Sequence, residues 1–403
     1  MELGIYVHIP FCVKKCDYCD FISYSNCFDM QERYVEKLLE EIEENKDLLR
    51  NNFISTIYIG GGTPSTIKSE LIKKILEKIY DVAGIEIEKN NVALNGAKKI
   101  IENETKNDEN KNEIEITIEV NPGTITKNNL QMYKNCGINR LSIGLQSTDD
   151  AILKEIGRIH NYEQFLDTYK WAEEAGFENI NVDLMLGLPN QRIIDLKESL
   201  ENVLRLAPKH ISVYSLIVEE GTPIANKIKN GKLKLLDDEL ERNMYWYVKN
   251  TLELNGYKHY EISNFAKKGY ESKHNMNCWN QMEYVGIGTA AHSYRDITRY
   301  SNTEDIKEYI KNVQKGEFEK NRIIHEIQKE EDSKKEFMLL GLRKIDGLKI
   351  SEFKNKFGDN PIYLYRNELK KLSDEKLIII QDDNIRLSNK GIDLANLVWE
   401  EFV

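Results

Sequence analysis

The sequence predicts an α/β protein: an open six-unit (β/α) barrel, or a doubly wound sheet, followed by a smaller α+β unit near the C-terminal end. Three observations predict it. Short β-branched runs alternate with longer amphipathic stretches through the first half of the chain. The rhythm changes after Pro223. Near the end, three helical stretches lead into two short strands.

The runs are GIYVHI (4–9), STIYIG (55–60), EIEITIEV (113–120), NRLSIGL (139–145), ENINVDLMLG (178–187) and HISVYSLIV (210–218). The first helical stretch, 30–49, places Val35, Leu38, Leu39 and Ile42 near 3.6-residue spacing. Others are expected near 68–81, 126–135, 161–175 and 192–206. Strand–helix units in series imply parallel strands with right-handed crossovers. Two further units would be needed for an eightfold barrel, and the sequence does not supply them. Residues of about 88–112 are rich in Asn, Glu and Lys and lack an apolar period. They are expected to be a solvated, partly disordered surface excursion.

Beyond Pro223, 237–255 predicts a helix and YKHYEIS (257–263) a strand. The charged stretch 320–335 is read as a linker. The last unit holds the helices EFMLLGLR, ISEFKNKFG and NELKKLSDEKLI. The strands IIIQ and NIRLS follow, joined by an Asp-Asp-Asn turn. That order suggests a winged helix. Its nearly equal numbers of acidic and basic residues favour a packing or docking role over DNA binding, which needs positive charge. The expected organisation is a core over 1–225, a barrel-covering extension over 226–320 and a C-terminal domain over 321–403.

Composition narrows function. The net charge of −11 over 403 residues argues against a nucleic-acid partner. The N-terminus has no signal-peptide pattern, and no run approaches a membrane span. Six cysteines in the chain are too few and too crowded for a disulfide framework, so a reducing cytoplasm is expected.

Three of those cysteines, Cys12, Cys16 and Cys19, lie in CVKKCDYC directly after the first strand. Thiolates select zinc, copper(I) or iron–sulfur clusters. A structural zinc site wants four ligands, and here His8 would have to be the fourth. A [4Fe–4S] cluster needs only three thiolates if its fourth iron is held by a small chelating molecule. The cluster is preferred. Cys27 and Cys136 have no evident partner and read as small apolar residues.

The stretch YVHIPFCVKKCDYCDF (6–21) resembles the signature of radical S-adenosylmethionine (SAM) enzymes. More narrowly it is similar to the family of the oxygen-independent coproporphyrinogen III oxidase, HemN, and closest to that family's heme-chaperone branch, HemW. The resemblance runs from residue 4 to the C-terminal unit and implies a partial (β/α)6 radical-SAM barrel with a winged-helix-like α+β domain. It also implies a [4Fe–4S] cluster on Cys12, Cys16 and Cys19, with the amino and carboxylate groups of SAM on the open iron. In the family, one-electron reduction then cleaves SAM to methionine and a 5′-deoxyadenosyl radical.

Further positions match family positions that contact SAM. They are Gly61, Gly62 and Thr63 in GGGTPS, Glu119 in EVNPGT, Gln146 in GLQS, Arg158 in GRIHN and Asp183 in NVDLMLGLP. Tyr6 and Tyr18 flank them, and several match a second SAM site that family members can hold. Each alone reads as an ordinary polar residue at a strand end. Together they come from the same end of consecutive units, as an active-site rim requires. HNMNCW (274–279) resembles a H-N-x-x-Y-W pattern, with Cys278 in place of Tyr. It makes His274 a candidate heme contact, with His292 a second candidate.

The oxidase branch carries a fourth cysteine where this chain has Phe21, and an extension before the first strand, which begins here by residue 4. Both departures imply the chaperone branch. The expected partners are then heme and recipient hemoproteins, with no nucleic acid, no membrane span, and peripheral contact with membrane hemoproteins compatible with the rest. Coproporphyrinogen oxidation, a step of porphyrin biosynthesis, is the alternative.

Overall fold

The computed structural model describes residues 1–88, 91–94 and 113–403. Of the expected excursion over 88–112, Asn91–Leu94 is instead a strand paired antiparallel with Ile85–Glu88, and 89–90 and 95–112 lie outside the described residues.

Six parallel strands occur in sequence order side by side: β1 (Glu2–Ile9), β2 (Phe53–Gly61), β3 (Glu115–Val120), β4 (Arg140–Gln146), β5 (Asn179–Leu186) and β6 (His210–Ser215). The helices between them are α1 (Gln31–Glu44), α2 (Ser69–Ala83), α3 (Lys127–Asn135), α4 (Tyr162–Glu174) and α5 (Ile193–Leu206). The first helix is shorter than its pattern because the chain breaks at Asn45 before a separate helical segment, Lys46–Asn51.

Parallel strands covered on both faces usually read as continuous apolar runs. These alternate instead, and the register explains why. Ile57 pairs Ile116, Ile118 pairs Leu141, and Ile143 pairs Val182 on one face. These side chains are fully buried with Val35, Leu38 and Ile42 of α1, Ile72, Ile75 and Ile79 of α2, Phe165 of α4 and Leu196 and Leu200 of α5. The opposite face carries Tyr58, Thr117, Glu119, Arg140, Ser142, Asn181, Asp183, His210 and Ser212, which the same register sets side by side. The concave side is therefore a polar lumen, and the apolar core is a shell between sheet and helices.

The sheet extends at both ends. A seventh parallel strand, Tyr284–Ile287, pairs β1 on its other side, followed by antiparallel strands His292–Arg295, Thr298–Asn302 and Arg322–Ile327. Beyond β6 come Asn264–Ala266 and Lys258–Glu261. Among the described residues this makes one open twelve-stranded sheet. The region after Pro223 thus builds sheet as well as helix, including Asp238–Leu254, which packs on the shell.

The linker expected over 320–335 is corrected. Arg322–Ile327 is the edge strand of the sheet and Glu330–Gly341 a helix. The strand's six residues are all exposed. It has no buried face, so no alternation marks it.

The C-terminal unit has its own core, with Phe337, Met338, Leu348, Phe353, Leu369, Leu372, Ile385 and Val398. Its hairpin, Ile378–Gln381 with Asn384–Leu387, is joined by a third short strand, Leu348–Lys349. Helices and a small antiparallel sheet in this order form the winged-helix-like α+β unit.

A buried carboxylate on α1 helps tie the strands beyond β1 to the barrel. Glu41 on α1 accepts from the Gly288 amide at 2.8 Å, Asn302 Nδ2 at 2.7 Å and the Tyr309 hydroxyl at 2.6 Å. Beside it the Tyr34 hydroxyl donates to the His8 carbonyl at 2.7 Å and accepts from the Thr289 amide at 3.1 Å.

Candidate cofactor-binding site

The cysteine loop leaves β1 and is pinned at several points. The Cys12 amide donates to the Tyr24 carbonyl at 3.1 Å and the Tyr24 amide to the Pro10 carbonyl at 2.7 Å. The Asp17 amide donates to the Ile156 carbonyl at 3.0 Å, and the Asp17 carboxylate pairs with Lys227 at 2.8 Å. Tyr18 packs against a small apolar cluster containing Ile152, Ile156, Met185, Leu188 and Ile224. The loop is thereby held over the C-terminal ends of the strands.

Beneath it lies a cavity of about 590 Å³, within the usual size range of small-molecule sites. Its wall includes Cys12, Cys16, Cys19, Tyr18, Gly61, Gly62, Thr63, Glu119, Gln146, Arg158 and Asp183. These are eleven of the fourteen candidate contacts named from the sequence.

The other three lie outside the wall. Tyr6 donates to or accepts from His8 Nδ1 at 3.0 Å and stacks near Tyr58. His274 is buried, with Nδ1 at 2.9 Å from Thr56 Oγ1 and its ring stacked on Tyr58 at 5.0 Å. Burial lowers its pKa to about 4, which leaves the imidazole neutral. His292 stacks on His325 at 5.3 Å, on the strands beyond β1.

The thiols suit a cluster better than one ion. Among the described residues, no three His, Cys, Asp or Glu side chains converge closely enough to hold a single metal ion. The proposed zinc ligand His8 has both ring nitrogens engaged, Nδ1 with Tyr6 and Nε2 with the Ile22 carbonyl at 2.9 Å. Three thiols lining one end of a cavity, each free of disulfide bonding, fit separate corner irons. Cys12 Sγ lies 3.3 Å from Thr63 Oγ1. Burial raises the Cys12 thiol and pushes Cys19 up to about 11, so metal ligation must displace protons that burial otherwise retains. Arg158 counters this. Its Nη1 points at Cys16 Sγ at 3.6 Å, while Nη2 donates to the Gly144 carbonyl at 2.5 Å and to Asn121.

Gly61 and Gly62 answer to the loop as well as to the cavity. A Cβ on Gly61, whose φ is +110°, would lie 2.6 Å from the His8 ring. One on Gly62 would lie 2.9 Å from the Phe11 carbonyl oxygen. The glycines let the cysteine loop seat against β2. Gln146 sits at φ +73°, a left-handed conformation costing a non-glycine residue about 1 kcal/mol or more. Its amide oxygen accepts from the Tyr214 hydroxyl at 3.2 Å.

Two buried acids face the cavity. Glu119 accepts from the Tyr58 hydroxyl at 2.8 Å and the Gly61 amide at 3.3 Å. Burial, with Asp183 nearby, still lifts its pKa to about 7. Asp183 accepts from Asn181 at 2.7 Å, and burial raises it too. The stabilisation from a protonated Glu119 is fully present below pH 4.5 and is lost as pH rises through about 7. The unaltered chain should therefore lose about 2 kcal/mol relative to Glu119→Gln between pH 5 and pH 8. Urea unfolding at the two pH values measures this, and a constant difference between the two proteins would refute it.

Sequence reasoning missed Tyr58, Asn121, Arg140, Ser142, Asn181, Ser212 and Tyr214, all in the same wall. Their signal was available: each strand alternates polar with apolar residues, and the polar set faces inward.

An open β/α barrel with a three-cysteine loop over a polar cavity is the architecture of radical SAM proteins. The profile of the Radical SAM superfamily matches residues 6–203, and that of the HemN C-terminal domain matches 329–394. The protein named heme chaperone HemW from Lactococcus lactis is 34% identical over 398 residues, covering 99% of this chain and 96% of its own. That from Bacillus subtilis is 36% identical, covering 99% and 98%. The coproporphyrinogen III oxidase HemN from Escherichia coli, a solved structure, superposes with a TM-score of 0.81 at 21% identity, covering 99% of this chain and 89% of that one. That likeness concerns the fold. The chain belongs to the HemW family of radical SAM proteins. No described helix is long and apolar enough to cross a membrane.

Proposed function

We propose that this protein is a heme chaperone: it binds heme and delivers it to hemoproteins in a reducing cytoplasm, carrying a [4Fe–4S] cluster and SAM. The observation that carries this reading is the full-length similarity to proteins named heme chaperone HemW. It is supported by Phe21, which stands where the oxidase branch has a fourth cysteine.

Cys12, Cys16 and Cys19 would hold three irons, leaving the fourth for SAM. When bound, the cluster supplies one-electron chemistry. The chain's own residues hold and orient. Arg158 lies against Cys16, with Nη1 3.6 Å from its sulfur. Thr63 lies against Cys12. Glu119 and Asp183 place two buried carboxyl groups in the wall that a cationic cofactor would meet. Tyr18 against its small apolar cluster, the Asp17–Lys227 pair and the backbone hydrogen bonds together hold the loop over the cavity.

The deciding experiment incubates anaerobically reconstituted protein with SAM, reductant and coproporphyrinogen III, with a parallel heme titration. Heme binding without protoporphyrinogen formation is expected. Turnover to protoporphyrinogen would overturn the proposal in favour of the oxidase.

His274 is proposed as a heme contact. Because it lies behind the wall, heme would reach it only if the helix Lys273–Trp279 moves outward. His274→Ala should weaken heme binding or alter the bound-heme spectrum. It should also cost about 2 kcal/mol of stability through the lost Thr56 hydrogen bond and Tyr58 stacking. Unchanged heme affinity and spectrum would remove His274 as a contact.

A further inference from the structure

Arg140 opens β4 and faces the lumen, where it is only 2% exposed and forms part of the cavity wall. It is among the largest fully buried side chains of the protein. Among the described residues its guanidinium makes no hydrogen bond or ion pair, and its Nε has no acceptor. The two acids that share the cavity spend their oxygens elsewhere: Glu119 on Tyr58 and Gly61, Asp183 on Asn181 and Ser142. The histidines within its field, His210 and His274, are held neutral by burial.

The contrast with Arg158 is instructive. That guanidinium lines the same cavity but is tied to Gly144, Asn121 and Cys16. Arg140 keeps its Nε buried without an acceptor, and Glu119 and Asp183 act on it as nearby charges without an ion pair. A buried guanidinium without a partner costs several kcal/mol, and such charges are normally paired. Its planar fork matches the two oxygens of a carboxylate. Arg140 also lies away from the cysteine loop. In the strand register it sits beside Thr117, two residues below Glu119, which is about 7 Å along the strand.

We propose that Arg140 is the floor of a carboxylate-binding subsite, which receives an acid group of an organic ligand entering the cavity from the cysteine-loop end. The inference rests on the proposed binding of SAM and heme: the carboxylate of a first SAM is expected on the open iron, so the required group is the amino-acid carboxylate of a second SAM or a propionate of heme. The neighbouring wall residues Ser142, Asn181 and Ser212 are uncharged and polar.

The test uses the full-length, anaerobically reconstituted protein and two pairs of probes: SAM with its carboxamide analogue, and heme with heme dimethyl ester. Dissociation constants are measured for all four on the unaltered chain, Arg140→Gln and Arg140→Lys. In one pair, blocking the acid should weaken binding to the unaltered chain about 30-fold, the worth of a charge-assisted hydrogen bond. Arg140→Gln should shrink that ratio to within about threefold while the other pair's ratio stays constant. Arg140→Lys should retain part of it. The responding pair identifies the source of the carboxylate. Equal ratios in the unaltered chain and in Arg140→Gln, for both pairs, would overturn the subsite. Should Arg140→Gln fail to fold, an unaltered chain with no acid preference in either pair overturns it by itself. An unaltered chain that binds neither SAM nor heme places the failure in the proposed function, and the subsite falls with it.

Discussion

Replacing Cys12, Cys16 or Cys19 by Ala is expected to abolish the brown chromophore near 400 nm, an approximate band arising from thiolate-ligated iron–sulfur clusters. Iron and acid-labile sulfide should fall with it after anaerobic reconstitution. The expectation is severe because the loop offers no spare ligand. His8 has both nitrogens engaged, and Phe21 stands where a fourth cysteine would. Cys27 and Cys136 do not line the cavity. The three variants should behave alike, since each thiolate would hold its own iron. Full retention of iron and sulfide in all three would refute the cluster, and stoichiometric zinc in the unaltered protein would replace it. Stability should change little in the metal-free state, because the loop is anchored by backbone hydrogen bonds and by Tyr18 rather than by the thiols.

The second large effect is on stability. Glu41→Ala removes one carboxylate and strands three buried donors: the Gly288 amide, Asn302 Nδ2 and the Tyr309 hydroxyl. A buried charge used in this way typically contributes about 3–5 kcal/mol, measured as the loss on removing it. Urea or thermal unfolding should show a loss of that size. Glu41→Gln should recover part of it, because one amide oxygen still accepts. A loss below about 1 kcal/mol would show that the three donors find other acceptors. The effect concerns more than global stability. Gly288 lies on the turn leaving the strand that pairs β1, so the clamp holds the extension against the strand from which the cysteine loop departs.

Much of this was legible in the sequence, for physical reasons. The six parallel strands were visible because β-branched runs between amphipathic helices leave few other solutions. The cysteine loop was visible because C-x3-C-x2-C is a ligand spacing that packing alone does not generate. Glu119, Gln146, Asp183 and Arg158 could be grouped because consecutive strand ends share one face, and the structure brings them into one wall. Other parts were hidden. Arg322–Ile327 read as a linker because a strand exposed on every residue leaves no periodicity. His274 was read toward the ligand because of its motif, whereas Thr56 and Tyr58, distant in sequence, hold it behind the wall. Arg140 was passed over because the alternation that turns it inward does not show that its guanidinium lacks a hydrogen-bonded partner. Its importance appears only when its neighbours' hydrogen bonds are traced.

The polar lumen has a consequence for how the protein can work as a carrier. Cohesion resides in the greasy jacket between the strands and the outer helices, and the hollow middle contributes little to it. A ligand held in the centre would therefore leave untouched what keeps the scaffold upright, as a vessel stays whole when it is filled and emptied repeatedly.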